Sequence, residues 1–344
     1  MQQFFSHSIE SFTDWVTDHG QPSYRAGQVY EWMFAKKVFD FSQMTNLPEN
    51  FRKLLIENFT LPAWKIEKQV STDGTQKFHF ELEDGKSIEA VWIPEKNRQT
   101  LCVSSQVGCA LKCQFCVTGL QGFARNLTQE EILEQIRHVM FVENLPLTNL
   151  VFMGMGEPLL NFENLCSAID LLKEPKAFGF GHRKISVSTA GTVPKILPFI
   201  DRTNVSLAVS LTGSTDETRN HWMPINQKYN LSILKETLMQ VPQTKWKKIM
   251  FEVVMIHQKT DTEEQAKNLV KFLRGMKAKV NLIPYNENEH FPQLKAPKRE
   301  DLMKYRDILM KAGYYVSIRK NRGQDIMGAC GQLSSHLNQA KMSS

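Results

Sequence analysis

Cysteine is scarce in this chain, long apolar runs are missing, and no segment is repetitive or of low complexity. Six cysteines in 344 residues are too few for a disulfide scaffold. No stretch reaches the roughly eighteen apolar residues that a membrane-spanning helix requires. The opening residues "MQQFFSHSIESF" show no basic segment followed by an apolar core, so they do not read as a secretory signal. These absences predict a cytoplasmic protein with no membrane partner, taken here as a monomer. At 344 residues, 42% of them hydrophobic, the chain can bury a core of one large domain or two smaller ones.

What cysteine there is lies concentrated. Four of the six fall between positions 102 and 116, and "GCALKCQFCVTG" holds Cys109, Cys113 and Cys116. Such clustering in a disulfide-poor chain points to metal or redox chemistry. Two metals suit thiolates. Zinc would take four, with Cys102 as the fourth ligand, and would give a structural site. An iron–sulfur cluster held by three would leave one iron open for catalysis. Cys102 sits inside an apolar strand-like run, and only Cys113 and Cys116 form a CxxC pair, both of which weigh against zinc.

The charge balance of 42 basic to 36 acidic residues permits a polyanionic partner without demanding one. "HRK" at 182–184 and "KWKK" at 245–248 are candidate phosphate contacts, though isolated basic clusters are more often solvated loop ends.

Along the chain, residues 1–60 read as helical. "SYRAGQVYEWMF" and "NFRKLLIENF" carry apolar residues at helical spacing. Arg25, Lys36, Lys37, Arg52 and Lys53 are interleaved there with Tyr24, Tyr30, Trp32 and Phe34. That mixture suits RNA, but helical spacing makes core packing the commoner fate of such aromatics. Residues 61–100 contain two β-like runs around Asp84-Gly85, a hairpin that carries Glu89. Apolar flanks predict a Glu89 carboxyl with a raised pKa, against the blander reading of an exposed strand residue.

From residue 101 to 344 strands and helices alternate. "LTQEEILEQIRHVMF" opens on a Thr128/Glu131 capping box, with Ile132, Ile136 and Val139 on one face. Strand-like runs recur at "NLVFM", "KISVST", "NVSLAVS", "KIMFEVVMI", "KVNLIPY" and "YYVSIRK". Such alternation predicts parallel β/α units, with ligands at the carboxyl ends of the strands. Five polar or glycine-rich features sit at those ends: the cysteine loop, "GMGEP" (154–158), Ser188, Ser210 and Asn286.

A C-x3-C-x2-C loop followed by "GMGEP" resembles the radical S-adenosylmethionine (SAM) enzymes. "LCVSSQVGCALKCQFC", "GFARNLT", "MGMGEPLLNFEN", "MPIN", "NLIPYN" and "RGQDIMGACGQL" narrow the resemblance to the RlmN/Cfr group of RNA adenine methyltransferases. The likeness extends into "YRAGQVYEWMF" and "FSQMTNLPENFR". It implies an α/β fold, a partial β/α barrel of about six strands, behind a helical RNA-binding segment. It also implies a 4Fe–4S cluster on Cys109, Cys113 and Cys116, with SAM contacted by Gly156, Glu157, Ser188, Ser210 and Asn286. Two SAM molecules serve each turnover in this group. One methylates Cys330, and the other supplies a radical that takes hydrogen from the S-methyl group.

The resulting S-methylene adds to an adenine ring carbon, Glu89 accepts the ring proton, and Cys102 attacks Cys330 to release the RNA as a disulfide forms. The resemblance thus implies ribosomal RNA as substrate, transfer RNA as a further one, and an electron donor for the cluster. Carbon 2 of adenine is the expected target, and carbon 8 is the alternative within the group. A zinc-stabilised RNA-binding protein is the rival from another class. It leaves "GMGEP", Ser188, Asn286 and Cys330 without a job.

Without the resemblance, Cys330 between Ala329 and Gly331 reads as a small buried hydrophobe. Gly328, Gly331 and Asp325 around it predict a flexible loop. Where the group usually reads Ser-Leu-His, this chain reads Ser210-Leu211-Thr212, and Leu211 and Thr212 are expected to line the SAM pocket through their backbone.

Overall fold

A computed structural model describes residues 1–242 and 249–334. The basic run at 245–248 lies outside the described residues. Ten strands form one sheet: β1 (Lys65–Val70), β2 (Gln76–Glu81), β3 (Ser87–Glu95), β4 (Arg98–Cys102), β5 (Asn149–Phe152), β6 (Ile185–Thr189), β7 (Ser206–Ser210), β8 (Ile249–Met255), β9 (Ala278–Pro284) and β10 (Tyr315–Ile318). Their spatial order follows the chain from β1 at one edge to β10 at the other. β1 to β4 pair antiparallel, and β4 to β10 pair parallel throughout.

The parallel half therefore holds seven strands, in an open arrangement rather than a closed barrel. Parallel strands are buried on both faces and need crossover helices, which is why they read as short apolar runs separated by amphipathic segments. β1 escaped the sequence reading. It is "KIEKQV", largely exposed and charged, as an edge strand that resists further pairing must be.

Helices fill the crossovers. α4 (Gln129–Arg137) links β4 to β5, α5 (Phe162–Lys173) links β5 to β6, and α6 (Val193–Thr203) links β6 to β7. Asp216–Trp222 (α7) and Leu231–Met239 (α8) precede β8, Glu263–Leu273 (α9) precedes β9, and Arg299–Lys311 (α10) precedes β10. The capping box of α4 is formed. The Glu131 amide donates to Thr128 Oγ1 at 3.2 Å, and the Thr128 amide donates back to Glu131 Oε2 at 2.9 Å. Ile132, Ile136 and Val139 are fully buried beneath it.

Three helices make the N-terminal part: α1 (Ile9–Asp18), α2 (Tyr24–Tyr30) and α3 (Glu49–Asn58). They enclose an aromatic cluster of Phe4, Phe12, Tyr30, Phe41 and Phe59 with ring centroids 5.0–5.9 Å apart. Phe5 and Phe34 reach across to Phe178, which docks these helices on the sheet portion. Tyr30 is core, as helical spacing requires, whereas Tyr24 is exposed. No described helix is long and apolar enough to cross a membrane.

Candidate active site

After β4 the chain forms a small clasp, in which Gln106–Gly108 pairs antiparallel with Phe123–Asn126 around a bulge at Val107/Gly108. Gly108 has φ +73°, and a Cβ there would lie 1.9 Å from the Gly122 carbonyl oxygen, so only glycine closes the clasp. Between its arms hang Cys109, Cys113 and Cys116. The Cys109 amide donates to Gly122 O (2.8 Å), and the Val117 amide donates to Gly331 O (2.8 Å). That last bond joins the cysteine loop to the segment carrying Cys330.

All three cysteines line a cavity of about 920 Å³ with Gly156, Glu157, Ser188, Ser210, Asn286 and Cys330. The features predicted at the carboxyl ends of five strands thus share one chamber. Gly156 (φ +101°) lies so close to Gln106 that a Cβ would come within 2.5 Å of the Gln106 Cβ. Gly156→Ala should therefore distort this wall and lower SAM affinity about tenfold or more. Unchanged affinity in equilibrium binding would show that the wall yields.

Several of the chamber's side chains also hold its walls together. Glu157 accepts from Thr189 Oγ1 (2.6 Å), the Ala190 amide (2.8 Å) and the Leu159 amide (3.3 Å), so its carboxylate ties the ends of β5 and β6 together. Burial pushes its pKa up. Asn286 donates to Cys330 O at 3.0 Å and accepts from Gln324 Nε2 at 3.0 Å, so both ends of its amide hold the Cys330 segment. Ser188 Oγ meets Ser210 Oγ (3.3 Å) and Glu252 Oε2 (3.2 Å).

Leu211 and Thr212 do not line the chamber. Strand alternation turns Leu211 into the core behind Ser210, and Thr212 Oγ1 accepts from the Val254 amide (3.2 Å). The 182–184 cluster is exposed just before β6, at the end of that strand opposite Ser188.

The donor set bears on the metal. Cys109, Cys113 and Cys116 line the chamber and Cys102 does not. Three thiolates are one short of a closed all-cysteine zinc site, whereas an iron–sulfur cluster held by three keeps one iron open. Burial, joined by the charge of the neighbouring thiols, drives Cys113 far above the usual thiol range, and burial lifts Cys109 to about 12. Thiols so placed ionise only against strong positive charge, which a metal cluster provides.

Cys102 does not line the chamber of the three-cysteine loop. It lines a second, adjoining cavity of about 610 Å³ with Cys116, Cys330, Arg319 and Lys320. Cys330, Cys116 and Asn286 belong to the walls of both cavities. The Cys330 loop is pinned rather than flexible. Asp325 accepts from Ser71 Oγ (2.5 Å) and the Thr72 amide (3.1 Å), and the Gly323 amide donates to Asp73 Oδ2 (3.0 Å).

Residues 3–61 match the ribosomal RNA large subunit methyltransferase N-terminal domain, and residues 103–273 match the radical SAM superfamily. A dual-specificity RNA methyltransferase RlmN of Desulfosudis oleivorans is 42% identical, over 95% of this chain and 89% of its own length. RlmN 2 of Myxococcus xanthus is 43% identical over 96% and 89%. The chain belongs to the RlmN family of radical SAM RNA methyltransferases. A crystal structure of a radical SAM methyltransferase from Sphaerobacter thermophilus superposes with TM-score 0.90 at 34% identity, covering 98% of this chain and all of the other.

The cofactors of this RlmN-family enzyme are a 4Fe–4S cluster and SAM. Three charged residues near its chambers went unrecognised in the sequence. Glu252, in "KIMFEVVMI", is buried in the chamber wall, and an acid within an apolar strand run was its available signal. Arg219 is fully buried and donates to Ala190 O (2.6 Å) and Ser210 O (2.9 Å), fastening β6 to β7. Arg319, in "YYVSIRK", lines the second cavity with Cys102 and Cys330, and Cys330, then Glu252 and Cys102, hold its guanidinium above the ordinary value.

Glu89 lines neither cavity. It is 1% exposed and paired with Lys77 Nζ at 3.1 Å, and its Oε2 accepts from the Ser334 amide at 2.9 Å. Leu333, which does line the second cavity, precedes that amide. The strand residue is thus buried and ion-paired, one layer behind the wall.

Proposed function

We propose that this enzyme methylates carbon 2 of an adenine in ribosomal RNA, and of one in transfer RNA, through a methyl group carried on Cys330. The observation that carries the reading is that Cys330 lines two adjoining cavities, one with the three-cysteine loop and the other with Cys102. That position puts it beside both the candidate cluster ligands and the candidate resolving thiol. The relatives' description as dual-specificity RNA methyltransferases supports two RNA substrates.

When bound, the cluster and SAM supply one-electron chemistry able to take hydrogen from an unactivated methyl group. Cys109, Cys113 and Cys116 would hold the cluster. Gly156, Ser188 and Ser210 would line the SAM site, with Glu157 and Asn286 fixing the walls around it. On the protein side, Cys330 Sγ bears the methyl and, after hydrogen loss, its methylene bonds to the adenine carbon.

Glu89 takes the ring proton once the segment at Leu333 and Ser334 shifts, and the adduct's unpaired electron leaves to a one-electron acceptor, a role a bound cluster would fill. Cys102 Sγ then attacks Cys330 Sγ, the carbon–sulfur bond breaks, and the electron pair returns to carbon as it gains a proton. The disulfide so formed must be reduced by an external thiol before the next cycle. Residues 1–60 serve as the RNA-binding accessory, residues 61–100 supply Glu89 and residues 101–344 the catalytic domain. The target base must leave its stack to reach Cys330.

Mass spectrometry of nucleosides from RNA treated in vitro tests the reading. 2-Methyladenosine is expected; 8-methyladenosine would move the assignment to carbon 8, and unmodified RNA with a loaded enzyme would end it. The release step has a pH signature. Burial is the larger cause that lifts the Cys102 thiol above its usual range, and it persists when the Cys330 sulfur is alkylated, so little thiolate exists near neutrality. Release should therefore quicken by about tenfold per pH unit as pH rises. Cys102→Ala should abolish release and leave an RNA–protein adduct on denaturing gels. A pH-independent release rate would remove Cys102 from that step.

A further inference from the structure

β8 leaves the sheet into a tight loop. The Ile256 amide donates to Thr260 Oγ1 (2.8 Å), Thr260 Oγ1 donates to Val254 O (2.7 Å), and Gln258 takes a left-handed φ of +54°. The loop carries His257 and Asp261 and runs into α9. From the other side α10 brings Asp301 in its first turn. One ligand atom of each residue, His257, Asp261 and Asp301, lies within 4.8 Å of the other two, and no other such trio of His, Cys, Asp or Glu occurs among the described residues.

Charge makes this arrangement unstable as it stands. Asp261 is 4% exposed, and its Oδ2 has no hydrogen-bond partner. Its nearest potential cation is His257 Nδ1 at 3.6 Å, beyond hydrogen-bond reach and itself without a partner. A buried, unpaired carboxylate oxygen beside a second carboxylate is costly unless a cation joins them. Burial, which raises the Asp261 pKa, expresses the same penalty.

We infer that His257, Asp261 and Asp301 form a binding site for a divalent transition metal of the zinc class, separate from the cysteine cluster. An imidazole nitrogen with two carboxylate oxygens is a zinc-type donor set, whereas magnesium and calcium prefer oxygen alone. Ligand atoms about 2.0–2.2 Å from such an ion sit about 3.3 Å apart, so small rotamer changes close the site.

The site would also steady the active centre. The His257 amide donates to Lys295 O (2.9 Å) in the loop between β9 and α10, and that loop also carries Asn286, which holds Cys330. A metal joining His257 and Asp261 to Asp301 clamps both sides of this loop.

The test uses the cluster-loaded protein, equilibrated with zinc and passed through a desalting column. Metal analysis should find one zinc per chain with the iron unchanged. Zinc-edge X-ray absorption should show nitrogen and oxygen neighbours at about 2.0–2.1 Å. His257→Gln and Asp301→Asn should each weaken zinc binding by about 100-fold or more with iron content retained.

Zinc should also raise the melting temperature of the wild-type holoprotein and not that of either variant, a readout that needs no activity. No retained zinc in the wild type, sulfur neighbours near about 2.3 Å, or equal binding by both variants would each overturn the assignment. An NMR titration showing a protonated, metal-free His257 would do the same.

Discussion

Cys330→Ala is expected to abolish methyl transfer, by at least about 10⁴-fold, while iron content and the cluster's absorbance stay as in the wild type. Cys330 lines both cavities, and the other cysteine that does so, Cys116, belongs to the three-cysteine loop. The segment itself should survive the change. Asn286 binds the backbone oxygen of residue 330, the Val117 amide binds Gly331 O, and Asp325 anchors the loop to Ser71, none of which involves the thiol. Loss of activity with an intact cluster thus reports on the sulfur. A mutant retaining more than about a tenth of wild-type turnover would end the methyl-carrier reading.

The second large effect is on stability. Lys77→Met should destabilise the protein by about 3–5 kcal/mol, because Glu89 would keep a buried charge with its cation gone. The pair joins β2 to β3, with side chains 4% and 2% exposed. The Ser334 amide remains as the carboxylate's other partner but carries no full charge. Combining Lys77→Met with Glu89→Gln should restore part of the loss, since a neutral amide costs less to bury unpaired. Urea denaturation of the single and double variants measures both. A single-variant loss below about 1 kcal/mol would mean that the pair is solvated in solution. Glu89→Gln alone should also accumulate the covalent RNA adduct at an earlier step than Cys102→Ala, and unchanged product formation would return Glu89 to a structural role.

Spacing weighed against zinc, through the single CxxC pair and the place of Cys102 in a strand run, but sequence distance says nothing about the separation of sulfurs. The fold bears on the choice, because Cys102 lines a cavity that includes neither Cys109 nor Cys113 and is absent from the walls of theirs. The same holds for Glu89. Its strand was legible, but its counter-ion Lys77 lies twelve residues away and meets it only through antiparallel pairing.

By itself the sequence determined the alternation of strands and crossover helices, the capping of α4 and the convergence of five strand ends. These rest on local periodicity and on glycines that only one backbone geometry allows. Only the tertiary structure decided which polar groups face a cavity and which are spent holding it together. Glu157 and Asn286 line the chamber and also fasten strand ends and the Cys330 segment, while Leu211 and Thr212 are not among its lining residues. A short motif marks where a residue sits along a strand. The direction of its hydrogen bonds depends on partners tens of residues distant, and those partners are fixed only when the sheet closes around them.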